Sequence, residues 1–262
     1  MVIIMNNANS NLEDKNLRNI LIYNEGRDEK LKPEVLEVYP NGIGGQLEDL
    51  LSAFPGWNIL GCISMYDMDE KLNDELLTKT DVLIYWSHGG NSIFPDAAAQ
   101  LIQSHVLRGM GFVVLHSAIG CKAFKALMGT TCSIHYHHDD FERMTCCNPT
   151  HPIAEGLPLH IELEKEESYG EFIDVPKPDD IIYLGWFDSG EVCRSVMTWT
   201  RGYGKIVFIQ PGHETNPSYK DLSIQRLIHN SCTWASRAFR LPEMPTDFHQ
   251  QTNLEAIRKG IK

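Results

Sequence analysis

The sequence has no C-x-x-C pair despite its seven cysteines, so neither a zinc ribbon nor a thioredoxin-type redox centre is encoded. Those cysteines, Cys62, Cys121, Cys132, Cys146, Cys147, Cys193 and Cys232, are odd in number and scattered. They read as reduced thiols of a cytoplasmic protein. No apolar run approaches the roughly 20 residues that span a bilayer. The Asn-rich start, Met1 to Leu17, lacks the positive flank and apolar stretch of a signal peptide, so no membrane partner is expected. A basic stripe is also missing. With 23 Lys and Arg against 35 Asp and Glu, the formal charge is −12, which argues against nucleic acid. No P-loop motif occurs, and no G-x-G-x-x-G follows the first apolar run, so no nucleotide cofactor is expected. A G-x-S-x-G elbow is absent as well. Ser117 occupies the strand-to-helix turn where such a nucleophile would sit, but it lacks the flanking glycines and is given no nucleophilic role.

What is present is a chain of 262 residues, 42% hydrophobic, enough for one large core. Continuous apolar runs at 19–24, 57–64, 81–87 and 111–117 suit strands covered on both faces. Helical patterns lie between them at 45–51, 71–77 and from Pro95 to about Leu107. This alternation predicts right-handed βαβ units and a mostly parallel sheet. After Gly129 the strands at 141–147, 159–165, 181–187 and 192–200 have few helices between them, and prolines punctuate the stretch. They predict an antiparallel extension of the same sheet. A parallel strand returns at 205–210, and a helix covers 222–236. The expected organisation is a polar arm at 1–18, one α/β domain at 19–240 and a tail at 241–262 that docks on the body or on a neighbouring copy in a homo-oligomer.

Open parallel sheets bind ligands beyond the carboxyl ends of their strands. The first strand ends in Asn24-Glu25-Gly26-Arg27, followed by a long polar loop to Pro40. The third ends in Tyr85-Trp86-Ser87-His88, the fourth in Leu115-His116-Ser117, and the late one in Gln210-Pro211-Gly212-His213-Glu214. Each histidine alone is as well explained by a structural role. Together, His88, His116 and His213 form a candidate set for metal ligation or proton transfer near neutral pH. Ser168-Tyr169-Gly170-Glu171 and Ser189-Gly190-Glu191 with Arg194 add polar groups from the antiparallel part. Glu171 and Glu191 can each be a general base, a metal ligand or a solvated carboxylate. Arg194 suits an anion or hydroxyls, or pairs with Glu191. Trp86, Tyr169 and Trp186 offer flat faces for a ligand ring or are ordinary core aromatics, the latter the better reading for Trp186. The run His135 to Asp140 is read as an exposed loop or strand edge. Cys121, near the start of a helix, is read as a small core residue.

These segments together resemble the ThuA-like, or trehalose-utilisation, family over about residues 19–234. The resemblance is carried by Gly109-Met110-Gly111 leading to Leu115-His116-Ser117, by Lys125 to Thr130, and by His151-Pro152-Ile153-Ala154-Glu155-Gly156. Tyr169-Gly170-Glu171, Gly190-Glu191 with Arg194-Ser195, and Pro211-Gly212-His213-Glu214 complete it. It implies a flavodoxin-like, class I glutamine amidotransferase-like three-layer sandwich without the cysteine nucleophile of those enzymes. It also implies sugar catabolism alongside oxidoreductases that handle 3-keto sugars. Asn91 and Ile119 stand where the family commonly has further histidines, which thins a metal site. The expected function is acid/base chemistry, metal-assisted by a divalent ion such as zinc, on a disaccharide or 3-keto-glycoside: isomerisation, epimerisation or elimination. In this reading His116, Glu171 and His213 are catalytic, and His88, His116 and His213 are the metal ligands. Glu25, Arg27, Trp86, Tyr169, Glu191 and Arg194 bind the substrate. The alternative is a non-catalytic sugar-binding or accessory subunit of a sugar oxidoreductase.

Overall fold

The computed structural model describes residues 17–238, 241 and 258–260. The predicted terminal arm and tail therefore lie almost wholly outside the described residues. Nine strands form one sheet: β1 (Arg18–Asn24), β2 (Trp57–Ile63), β3 (Val82–Trp86), β4 (Gly111–Leu115), β5 (His135–Cys146), β6 (His160–Gly170), β7 (Asp180–Phe187), β8 (Val192–Arg201) and β9 (Gly204–Ile209). Their order is β2-β1-β3-β4-β9-β8-β7-β5-β6. The first five in that order pair in parallel. The remaining pairings are antiparallel, so the extension is as large as the parallel part.

The chemistry of the strands explains the centre. β3 and β4 are buried at every residue, as apolar runs covered on both faces must be. In β1 successive side chains go to opposite cores. Leu21 and Tyr23 join Val106, Phe112 and Phe124 on one face, while Ile20 and Ile22 join Leu47, Leu50, Leu227 and Ile228 on the other. The helices that cover these faces are α3 (Gly42–Ser52), α6 (Asp96–Leu107), α7 (Lys122–Met128) and α8 (Leu222–Ala235). Asp221 caps α8 by accepting from the amides of Ser223 and Ile224 at 2.8 and 3.0 Å. Gly129 ends α7 at φ +74°, the left-handed cap that glycine adopts without steric cost.

Two features depart from the expected pattern. The loop expected from Arg27 to Pro40 contains two short helices, α1 (Asp28–Leu31) and α2 (Pro33–Val38). The helix expected at 71–77 is split into α4 (Met68–Lys71) and α5 (Asp74–Lys79), and Asn73 caps the second piece through the Leu76 amide. The strand order reverses between β1 and β3, because β2 lies on one side of β1 and every later strand on the other. That switch point leaves a crevice at the carboxyl ends of β1 and β3.

Candidate functional site

At the switch point the chain leaves β1 at Glu25 and β3 at Ser87-His88. Glu25 is buried and accepts the His88 backbone amide at 2.7 Å, which ties the two strand ends together. α1 begins directly afterwards and turns Asp28 inward, where it is 3% exposed. Its Oδ2 lies 2.7 Å from His88 Nδ1. His88, partly exposed, lines a cleft of about 470 Å³ together with Lys32, Glu34, Tyr136, His213 and Thr215. A proton on Nδ1, shared with Asp28, leaves Nε2 as the basic nitrogen. Lys32, one turn after Asp28, reaches Glu214 Oε1 at 2.5 Å and Asp28 Oδ1 at 3.6 Å. Burial works against both carboxylates, yet His88 and Lys32 beside Asp28, and His213, His88 and Lys32 beside Glu214, hold them below the usual carboxylate range. Burial likewise opposes the Lys32 charge, but Glu214 and Asp28 raise its pKa.

Beneath the cleft lies a second imidazole. His116 follows β4 at φ +53°, a left-handed conformation that costs a bulky residue on the order of 1–2 kcal/mol. It is fully buried, with Nδ1 2.9 Å from the Gln210 carbonyl and Nε2 3.0 Å from Glu167 Oε2. Burial depresses its pKa, but the Glu167 carboxylate overrides this and the net direction is upward. Tyr169 stacks on the ring with centroids 5.2 Å apart, its hydroxyl 3.5 Å from Nε2.

His213 sits between the two, its ring centroid 5.7 Å from that of His116 and 6.1 Å from that of His88. Burial, helped by the charge on His116, lowers its pKa to about 4, so it is neutral at pH 7. Nδ1 accepts from the Thr215 amide at 3.3 Å, which places the ring proton on Nε2, 3.5 Å from Glu214 Oε2. The segment that carries His213 is organised by Glu166. This buried carboxylate accepts from the amides of Gly212 at 2.9 Å and His213 at 3.1 Å, from Asn216 Nδ2 at 3.4 Å and from the Ser218 hydroxyl. Gly212, at φ +137°, lies so close to the Tyr219 hydroxyl that any Cβ there would overlap it.

The other sequence candidates lie elsewhere or serve other ends. Glu171 is held by Arg194 through Nε at 2.8 Å and Nη2 at 2.9 Å, and by the Ile173 amide. Burial opposes its charge, but Arg194 keeps it ionised. Glu191, one of the alternatives for Arg194, instead lies against Gly170. Arg27 lies against Gly89 at the rim of the switch-point loops. Trp86 and Trp186 exchange their expected places. Trp86 is fully buried and donates to the Gly212 carbonyl at 3.1 Å, whereas Trp186 is 47% exposed. β3 is covered on both faces, and position 186 points outward from β7. Tyr169 is likewise enclosed and cannot stack on a sugar from the cleft. Asn91 clips the loops after β3 and β4 together, donating to the carbonyls of His88 and Ser117 at 3.0 Å each. Ile119 is core. His135 to His137 are exposed on β5, beside the edge strand β6. Cys121 is buried and its thiol pushed up to about 12 by desolvation, consistent with a core residue. Asp28, Lys32, Glu166 and Glu167 were missed. Only the i, i+4 spacing of Asp28 and Lys32 carried a signal.

The residues that could hold a divalent metal differ from the expected set. His116 has both nitrogens engaged by Gln210 and Glu167, and His213 Nδ1 is taken by Thr215, so among the described residues the donor atoms of the three histidines do not converge. Among the described residues the donors that converge are those of Asp28, His88 and Glu214, within 4.8 Å of one another. One imidazole and two carboxylates suit an ion such as zinc. Such an ion would compete with the Lys32 ammonium for the same carboxylates.

Fold and site together define an open-sheet α/β protein with a histidine–carboxylate cleft at its switch point. The family model for trehalose utilisation, ThuA, matches residues 61–235, and the chain belongs to that family. Among solved structures, a putative ThuA-like protein from Parabacteroides merdae superposes with TM-score 0.63 at 17% identity, covering 89% of this chain and 95% of its own. A putative ThuA-like protein from Bacteroides uniformis gives TM-score 0.60 at 15% identity, covering 85% and 94%. A cytoplasmic protein from Salmonella typhimurium gives 0.59 at 11% identity, covering 84% and 100%. At these identities the likeness is one of fold. No curated protein matches the chain by sequence. No helix among the described residues is long and apolar enough to cross a membrane.

Proposed function

We propose that this ThuA-family chain is a cytoplasmic acid/base enzyme acting on a 3-keto-glycoside, with His88 as the general base. The observation that carries this reading is the buried Asp28 carboxylate 2.7 Å from His88 Nδ1, behind an imidazole that lines the cleft. A carbonyl at C3 acidifies the neighbouring C–H. His88 Nε2 takes that proton, and Asp28 stabilises the resulting imidazolium. The Lys32 ammonium faces the negative charge that develops on the carbonyl oxygen. The neutral His213 lines the same cleft with its Nε2–H turned toward Glu214. Tyr136, 60% exposed on the cleft rim, offers the flat face for a sugar ring that Trp86 and Tyr169 cannot. Returning the proton to the other carbon of the enediol completes isomerisation, and returning it to the opposite face completes epimerisation. Expelling the glycosidic oxygen completes elimination. A divalent ion held by Asp28, His88 and Glu214 would polarise the carbonyl instead, in place of the Asp28–His88 hydrogen bond.

The family name and the helix-covered parallel strands also support reading the fold as flavodoxin-like and three-layered. Amidotransferase chemistry is not part of the proposal, since the Cys121 thiol is buried with a raised pKa. The test is incubation of the protein with 3-keto-trehalose in deuterated water, followed by NMR. Deuterium entering the carbon beside the carbonyl supports the enzyme. Saturable sugar binding with no exchange would overturn it in favour of a binding or accessory subunit.

A further inference from the structure

A second cleft, of about 680 Å³, opens beyond the carboxyl ends of β1 and β2, between α1 and the first turn of α3. Its volume is in the range of small-molecule sites. Asn24, at its floor, is 6% exposed. The Asn24 amide nitrogen donates to Glu29 Oε1 at 2.6 Å, which leaves Oδ1 as a buried acceptor without a partner. Glu29 Oε1 also accepts the Ile43 amide at 3.1 Å, and its Oε2 is a second buried acceptor without a partner. Buried acceptors are costly unless something donates to them.

The surroundings narrow what that donor is. Glu29 already occupies the positive end of α3, and Glu48, Asp49 and Asp67 share the lining, so an anion is repelled. Lys30 places its ammonium 3.1 Å from the centre of the Tyr66 ring, so the aromatic face already holds a cation. Asp67 is engaged by Ser64 and Lys71. At Gly44 a Cβ would come within 2.5 Å of Cys62 Sγ and 3.3 Å of Asn24, so glycine is what lets α3 pack this close to the ends of β1 and β2. A ligand with several hydroxyls meets these conditions: it donates to Asn24 and Glu29 and accepts from Lys30. We infer that this cleft is a second binding site, for a neutral hydroxyl-rich ligand such as a sugar or polyol, separate from the His88 cleft.

The test is isothermal titration of the full chain with D-glucose and with trehalose, with ethylammonium and inorganic phosphate as the cationic and anionic probes. Glu29→Gln turns one acceptor into a donor but keeps the cap on α3, and Tyr66→Ala removes the exposed rim. Thermal unfolding checks that both variants remain folded. A sugar site weakened at least tenfold by either substitution, yet retained in His88→Ala, supports the inference. Unchanged sugar binding in both variants, no sugar binding at all, or tighter binding of either ion would overturn it. Sugar binding that responds to Glu29→Gln in a protein that catalyses no exchange would leave this site standing while the proposed reaction fell.

Discussion

Glu166 and Glu167 are chain neighbours on β6, both are buried, and they serve different partners. Regular pleating sends adjacent side chains to opposite faces, and here β6 is irregular in its pairing with β5. Glu167 turns to His116, and Glu166 to the segment from Gly212 to Ser218. A run of charges such as Lys165-Glu166-Glu167 reads in sequence as a solvated face, so neither carboxylate was legible. The histidines were, because each ends an apolar strand. His116 also yields a stability prediction. The groups around it are Glu167, Glu166, Tyr169, the Gln210 carbonyl and His213. Its folded pKa is raised above the ordinary 6.5, so its contribution is complete below that value and is lost as pH rises through the folded pKa. Urea unfolding from about pH 6 to about pH 9 should show this loss in the wild type and a flatter profile in Glu167→Gln. Equal slopes would remove the pair from the account.

At the scale of elements, the strands and the long helices were readable from periodicity, whereas α1 and α2 were not. Helices of four and six residues carry too few turns for an amphipathic pattern, and Pro33 between them reads as a loop residue. Yet α1 carries the Asp28 that orients His88, so the missed element is the one that builds the dyad. Two elements give separable predictions. Asp221→Ala removes the α8 cap and should cost about 1 kcal/mol, lowering Tm by roughly 2–4 °C in calorimetry. Glu166→Ala leaves several buried donors unpaired and should cost about 3 kcal/mol or more, measured by denaturant midpoint. A loss no greater than that of Asp221→Ala would show that the 212–218 segment does not depend on Glu166.

For the whole molecule, the parallel core with an antiparallel extension was legible because strand composition and spacing change after Gly129. The meeting of the candidate histidines followed from the same topology: the strand order reverses beside β1, and His88, His116 and His213 gather there. Their roles were not legible, since burial separates them. His116 is enclosed and held between Gln210 and Glu167, His213 is kept neutral, and His88, the most exposed of the three, has its Nδ1 2.7 Å from a buried carboxylate. The central claim is therefore that His88 is the base. The most direct measurement is the rate of deuterium incorporation beside the carbonyl of 3-keto-trehalose by His88→Ala, compared with the wild type. The account predicts a fall of about 10²- to 10⁴-fold with the fold intact. Incorporation at the wild-type rate in a folded His88→Ala protein would contradict it.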